Sequence, residues 1–195
     1  MSLTSDELLH GYLNGAFPMA EPSGEIYWYA PNPRAIIPIE TYKPSKSLRP
    51  VLNRNEFEIK INSCFKQVMQ ECAKPRFPGD QTWISDELID VYCELHTQGF
   101  GCSVEAYKNG ELAGGLYGVC IGAAFFGESM FFKLPNASKV AFHYLIEILK
   151  KNEFLLLDTQ FMNDNVQRYG AIEISKDEYE SKLIKALVKK RSFKL

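Results

Sequence analysis

The chain has 195 residues, is 46% hydrophobic, and carries 22 Lys and Arg against 24 Asp and Glu. This is the make-up of a globular chain long enough to bury a real core, as one large domain or a domain with a small lobe. A formal net charge of −2 excludes a surface that grips nucleic acid everywhere, so any such contact must come from a local basic patch and be salt-sensitive. The cysteines Cys64, Cys72, Cys93, Cys102 and Cys120 are odd in number and never spaced C-x-x-C, which reads as free thiols in a reducing compartment. His10, His96 and His143 are scattered, and nothing resembles a zinc site or a nucleotide loop, so no cofactor is expected. The first residues show no cationic stretch followed by an apolar run, and no segment approaches the ~18 apolar residues of a membrane span. The cytoplasm is the expected location.

In chain order, residues 4–15 read as a short helix capped by Thr4 or Ser5 and ended by Gly15. Pro18, Pro22, Pro31, Pro33 and Pro38 exclude a long helix over residues 16–38, which is predicted to be irregular with one or two short strands. Residues 41–54 carry Lys43, Lys46, Arg49 and Arg54 and no acids, and residues 57–61 alternate like a strand. Residues 62–74 look helical, and Ser85 caps a second helix over 86–98, ended by Gly99. Residues 102–107, 112–122 and 123–132 predict a three-strand meander, with Asn109-Gly110 as a two-residue hairpin turn. Asn136 is predicted to cap a helix over 137–151 whose apolar residues recur at helical spacing. Residues 154–160 form a near-continuous apolar strand of the kind buried on both faces. Strands, a covering helix and a buried strand make an α+β plan. The end of the chain, KALVKKRSFKL, reads as a basic helix end or frayed terminus.

Glu128 stands inside the apolar run FFGESMFF, where a carboxylate is costly unless paired or hydrogen-bonded. Asp158 closes the run LLLD, and Gln160 follows two residues later on the same face of a strand. Two carboxylates and an amide can hold a cation and steer a proton. Equally, Asp158 can cap a loop and Glu128 can pair with a buried Arg. Gly114, Gly115, Gly118, Gly122 and Gly127 thin the central strands, marking a bulge, a close approach to a ligand, or a bend beneath a large aromatic. Trp83, in a loop before a helix, can stack on a base or simply pack. Lys46, Arg49 and Arg54 can follow a phosphate backbone or form a solvated turn.

Several strings together resemble the leucyl/phenylalanyl-tRNA–protein transferase family: GYLNGAFPM, WYAPNPRAIIP, TWIS, HTQGFGCSVEAY, AGGLYGV, FFGESMF, NASK, LLLDTQ and YGAIEI, in the family's order from about residue 11 to about 180. The resemblance implies a GNAT-like acyltransferase domain, taken as residues 63–195, preceded by a small N-terminal lobe, residues 1–62. It implies transfer of leucine, phenylalanine or methionine from aminoacyl-tRNA to proteins beginning with Arg or Lys; a monomer that does not engage a membrane is expected. By motif match, Asp158 and Gln160 fall on the catalytic D-x-Q, and Glu128 on the carboxylate near the acceptor amine. Trp83 matches a residue beside the terminal adenosine. Leu116, Phe125, Leu145, Leu149 and Leu157 fall where the family builds its side-chain pocket. Lys46, Arg49 and Arg54 match a basic stretch similar to the family's tRNA-backbone contact. The chain departs from the family at Met19, often Trp; at Thr159, often Cys; at Phe132, often Ser; and at Leu145 and Leu149, often aromatic. A GLLALGG-like opening string is not found.

An aminoacyl ester is already activated, so the chemistry calls for neither ATP nor a metal. The demanding partner is the acceptor amine, whose pKa of about 7.7–8.0 leaves it mostly protonated at neutral pH. Asp158 is expected to orient the amine and Gln160 and to help remove the proton, while Glu128 binds the cationic acceptor. Transfer to acceptors beginning with Asp or Glu would require cations in place of these carboxylates. A small-molecule N-acetyltransferase would require a Q/R-x-x-G-x-G/A loop, where this chain has FKLPNASK.

Overall fold

In a computed structural model, residues 3–75, 79 and 82–195 are described. Helix α1 (Ser5–Leu13) begins at a capping box: Thr4 Oγ1 accepts from the Glu7 amide, and the Glu7 carboxylate accepts from the Thr4 amide. Strands β1 (Phe17–Ala20) and β2 (Ile26–Tyr29) pair antiparallel as a small separate sheet. The proline-rich stretch yields a third strand, β3 (Arg34–Ile36), one more than the sequence suggests. After a 3-10 turn at Ile39–Thr41 come α2 (Arg49–Asn53), β4 (Glu58–Ile61), α3 (Phe65–Cys72) and α4 (Asp86–Thr97). Helix α3 starts later than residue 62. Asn62 adopts φ +54° and stays on the sheet, its Oδ1 accepting from the Ser103 amide at 2.8 Å.

The meander forms as expected: β5 (Gly101–Lys108), β6 (Glu111–Ile121) and β7 (Ala124–Phe132) pair antiparallel in sequence. Helix α5 (Ala137–Lys151) then crosses over to β8 (Leu156–Gln160), which runs parallel to β7. Asn136 does precede α5, but in a left-handed conformation (φ +70°) and without a side-chain capping bond, contrary to its expected role. The chain finishes with α6 (Asp164–Arg168), β9 (Ile172–Ile174) and α7 (Lys176–Leu187).

The large sheet has seven strands in the order β4-β5-β6-β7-β8-β3-β9, and β7–β8 is its parallel pair. The fold is therefore α+β, a mixed sheet flanked by helices. Strand β8 lies between β7 and β3, and it is buried on both faces as expected of its unbroken apolar run, with Leu156 in one core and Leu157 in the other. A boundary at residue 62 cuts across this sheet, because β3 and β4 are both part of it. Two cores fill the faces. One gathers α1, α3, α4 and α7 around Tyr12, Tyr92, Tyr117 and Phe126; the other gathers α2 and α5 around Phe125, Leu145, Leu149 and Leu157. No helix among the described residues is long and apolar enough to cross a membrane.

Candidate active site

Main-chain pairing of β7 with β8 stops at Phe126↔Asp158, although β7 runs on to Phe132 and β8 to Gln160. A cavity of about 300 Å³ opens in that gap. Its apolar wall comes from the core beneath α5: Leu116, Phe125, Leu145 and Leu157, with Met130 and Phe142. Its other wall carries Glu128, Gln160, Tyr117 and Trp83. Of the expected pocket residues, Leu149 is fully buried in the core and does not line the cavity. Met19 lines it beside Trp83, whose carbonyl accepts from the Ala20 amide at 3.1 Å.

Glu128 is placed by a β-bulge. Tyr117 faces Ser129 and Gly118 faces Gly127, so Glu128 is the extra residue of β7, with no partner on β6. A bulge re-aims a side chain that strict alternation would point elsewhere. Gly118 permits it: a Cβ there would meet the Phe126 carbonyl oxygen at 2.2 Å. One Glu128 oxygen, Oε1, accepts from the Tyr12 hydroxyl at 2.6 Å and from Gln160 Nε2 at 2.8 Å; the Tyr12 and Tyr92 hydroxyls share a further short hydrogen bond. The other oxygen, Oε2, is buried without a partner among the described residues. The residue as a whole is only half-buried and lines the cavity, while its Oε2 is shielded from solvent. Burial pushes its pKa up to about 7, against the hydrogen bonds from Tyr12, Gln160 and, more weakly, Tyr92; the nearby Asp158 charge adds to the rise.

Asp158 is placed differently from expectation. It is fully buried and absent from the cavity wall. The Arg34 guanidinium grips it with Nε to Oδ1 at 2.9 Å and Nη2 to Oδ2 at 2.6 Å. The Tyr179 hydroxyl donates to Oδ2 at 2.7 Å, and the Gln160 amide donates to Oδ1 at 2.8 Å. Arg34 in turn donates to the Gly15 carbonyl at 2.9 Å and lies between the Phe17 and Tyr179 rings, 4.9 and 4.6 Å from their centroids. Burial opposes the Arg34 charge, but Asp158 outweighs it and leaves the guanidinium proton held more tightly than usual. The buried arginine considered as a partner for Glu128 thus belongs to Asp158. Asp158 thus sits behind the cavity lining, where it accepts from the backbone amide of Gln160, a residue held at φ +68°. Arg34, Tyr12, Tyr92 and Tyr179 were not legible as site residues: each stands alone in the sequence, and only the fold brings them together.

Lys46, Arg49 and Arg54 are exposed, in the loop before α2, at the start of α2 and at its C-terminal cap respectively. Arg54 pairs with Glu56 at 2.5 Å, whereas Lys46 and Arg49 have no ion-pair partner among the described residues. No group of three or more His, Cys, Asp or Glu among the described residues is arranged to hold a metal ion.

The leucyl/phenylalanyl-tRNA protein transferase family model matches residues 36–184, and the model of that family's N-terminal domain matches residues 1–32. The leucyl/phenylalanyl-tRNA–protein transferase of Prosthecochloris aestuarii is 52% identical over 188 residues, covering 96% of this chain and 97% of its own. That of Chlorobaculum tepidum is 49% identical over 189 residues, with 96% and 97% covered, and that of Gloeobacter violaceus 46% identical over 188, with 96% and 95% covered. Among solved structures, L-PGS from Bacillus licheniformis aligns at 15% identity and a TM-score of 0.45, over 78% of this chain and 56% of that one. Matches to relatives of this extent define the chain as an aminoacyltransferase. It belongs to the leucyl/phenylalanyl-tRNA–protein transferase family.

Proposed function

We propose that the chain moves leucine, phenylalanine or methionine from aminoacyl-tRNA to the N-terminal amine of proteins beginning with Arg or Lys, marking them for degradation, and that it does so as a cytoplasmic monomer with a GNAT-like catalytic domain. The observation that carries this reading is Glu128, whose Oε2 has no partner among the described residues, on the lining of a cavity that also has an aliphatic and aromatic wall. The apolar wall takes the side chain of the esterified amino acid. Each well-placed methylene there contributes about 1–3 kcal/mol, enough to prefer long side chains but not to separate leucine, phenylalanine and methionine sharply. Trp83 offers its indole to the terminal adenine.

Glu128 draws in the acceptor as an ammonium and takes its proton. A carboxyl with a pKa of about 7 suits an amine of about 7.7–8.0 at neutral pH. The free amine attacks the ester carbonyl. A C–N bond forms, the ester C–O bond breaks, and the terminal tRNA hydroxyl leaves with a proton. Gln160 holds Glu128 through its amide, and Asp158 with Arg34 holds Gln160. In this reading Asp158 is a positioning residue.

Incubation with labelled leucyl-tRNA and peptides beginning with Arg, Lys, Asp or Ala tests the assignment. Label is expected on the Arg and Lys peptides; label on none of them, or on the Asp peptide alone, contradicts it.

The exposed cations Lys46, Arg49 and Arg54 are proposed to run along the tRNA backbone. Changing all three to Ala is expected to raise the KM for leucyl-tRNA. It should also reduce the slope of log KM against log salt by about one for each free cation lost, hence by about two, since Glu56 already holds Arg54. An unchanged slope would put the tRNA on another face.

A further inference from the structure

Tyr117 lines the cavity with Glu128, and its hydroxyl, like Glu128 Oε2, is buried without a partner among the described residues. Tyr117 is completely buried. Its ring meets Tyr92 edge-on at 5.8 Å and Phe65 at 5.9 Å, so it is rigidly seated. Tyr92 connects it to Glu128, because the Tyr92 hydroxyl bonds Tyr12, which donates to Glu128 Oε1. The β6–β7 register sets Tyr117 opposite Ser129, the residue after Glu128, at the bulge itself. A buried hydroxyl with no partner costs stability that a phenylalanine of the same shape would not. Tyr117 and Glu128 thus bring two buried polar atoms, each without a partner among the described residues, to the lining of one cavity.

We infer that the Tyr117 hydroxyl and Glu128 Oε2 form a two-point socket for the α-amine of the acceptor, with Tyr117 a substrate-positioning residue of the transfer reaction. This rests on the function proposed above. The chemistry selects an amine. Glu128, when ionised, only accepts hydrogen bonds, so the ligand must donate to it. A primary ammonium has N–H groups for both oxygens at once, and it keeps one on Tyr117 after giving a proton to Glu128. Burial holds the Tyr117 pKa far above the neutral range, so this hydroxyl does not titrate and serves only as a fixed contact.

Leucine transfer by Tyr117→Phe, measured against peptide and leucyl-tRNA concentration, tests the socket. If the wild-type protein transfers nothing, the proposed function fails, whatever Tyr117 does. Given wild-type transfer, Tyr117→Phe is expected to raise the KM for an Arg-starting peptide about tenfold, the value of one hydrogen bond to a charged group. The KM for leucyl-tRNA should stay put, and the Tm should be equal or higher, since the hydroxyl has no hydrogen-bond partner among the described residues. Inhibition by the same peptide with an acetylated N-terminus should be indifferent to the change, because that peptide has no amine to place. An unchanged peptide KM, a loss confined to kcat, or equal weakening of the acetylated peptide overturns the inference.

Discussion

Replacing Asp158 by Asn is expected to destabilise the protein by about 3–5 kcal/mol, because it strands the Arg34 guanidinium, 1% exposed, without a counter-charge. The pair is bidentate and sealed between two aromatic rings, so water cannot replace the lost charge. Asn also supplies an NH2 where an oxygen now accepts from Arg34 or Tyr179. Arg34→Met should cost a similar amount, leaving a buried carboxylate alone. The double change Arg34→Met with Asp158→Leu should recover much of the loss, since an apolar pair of similar volume often replaces a buried ion pair at little cost. Urea unfolding midpoints read all three. A single variant with the wild-type midpoint would mean that the pair does not hold β3, β8 and α7 together. Transfer activity of Asp158→Asn must therefore be compared on folded protein only; what remains lost reports the misplaced Gln160.

Replacing Glu128 by Gln should lower kcat by about 10²–10⁴ near pH 7, the range lost when a positioned acid–base group is removed. Gln keeps an oxygen for Tyr12 and Gln160, so the scaffold survives. Stability should move the other way. The folded-state pKa of Glu128, about 7, lies above its ordinary 4.5. Its contribution to stability is then complete below about pH 4.5 and is lost as pH rises through about 7, where the buried carboxyl must ionise. Glu128→Gln should accordingly melt higher than wild type at pH 8, by up to about 3 kcal/mol, and show no such gain at pH 4. A variant that is inactive and also less stable at pH 8 would make Glu128 a structural acceptor for Tyr12 and nothing more.

Much of this was legible from residues 101 onward. Asn109-Gly110 set a hairpin, the spacing of apolar residues from 137 to 151 set α5, and the run before Asp158 set a strand buried on both faces. The oddity of Glu128 in an apolar strand and the glycines around it pointed to the same place, and the bulge joins the two signals. The partner of Asp158 was not legible. Arg34 lies 124 residues away in a proline-rich stretch that gives no period, and its strand exists only because β8 and β9 flank it. The tyrosines Tyr12, Tyr92 and Tyr179 come from three helices, where they read as ordinary core residues. Strand β9 is three residues long, too short to show an alternation. Leu149 kept its apolar character but turned into the core rather than the cavity, a distinction of one helical turn from Leu145 that spacing alone does not make.

The pH dependence of single-turnover leucine transfer to an Arg-starting peptide tests the central claim most directly. With Glu128 as the group that accepts the amine's proton, wild-type rates should rise with a midpoint near the Glu128 value of about 7. In Glu128→Gln that limb should vanish, leaving a slower reaction governed by the peptide's own amine at about 7.7–8.0. Superimposable profiles for the two proteins would contradict it and move the proton's acceptor to another group.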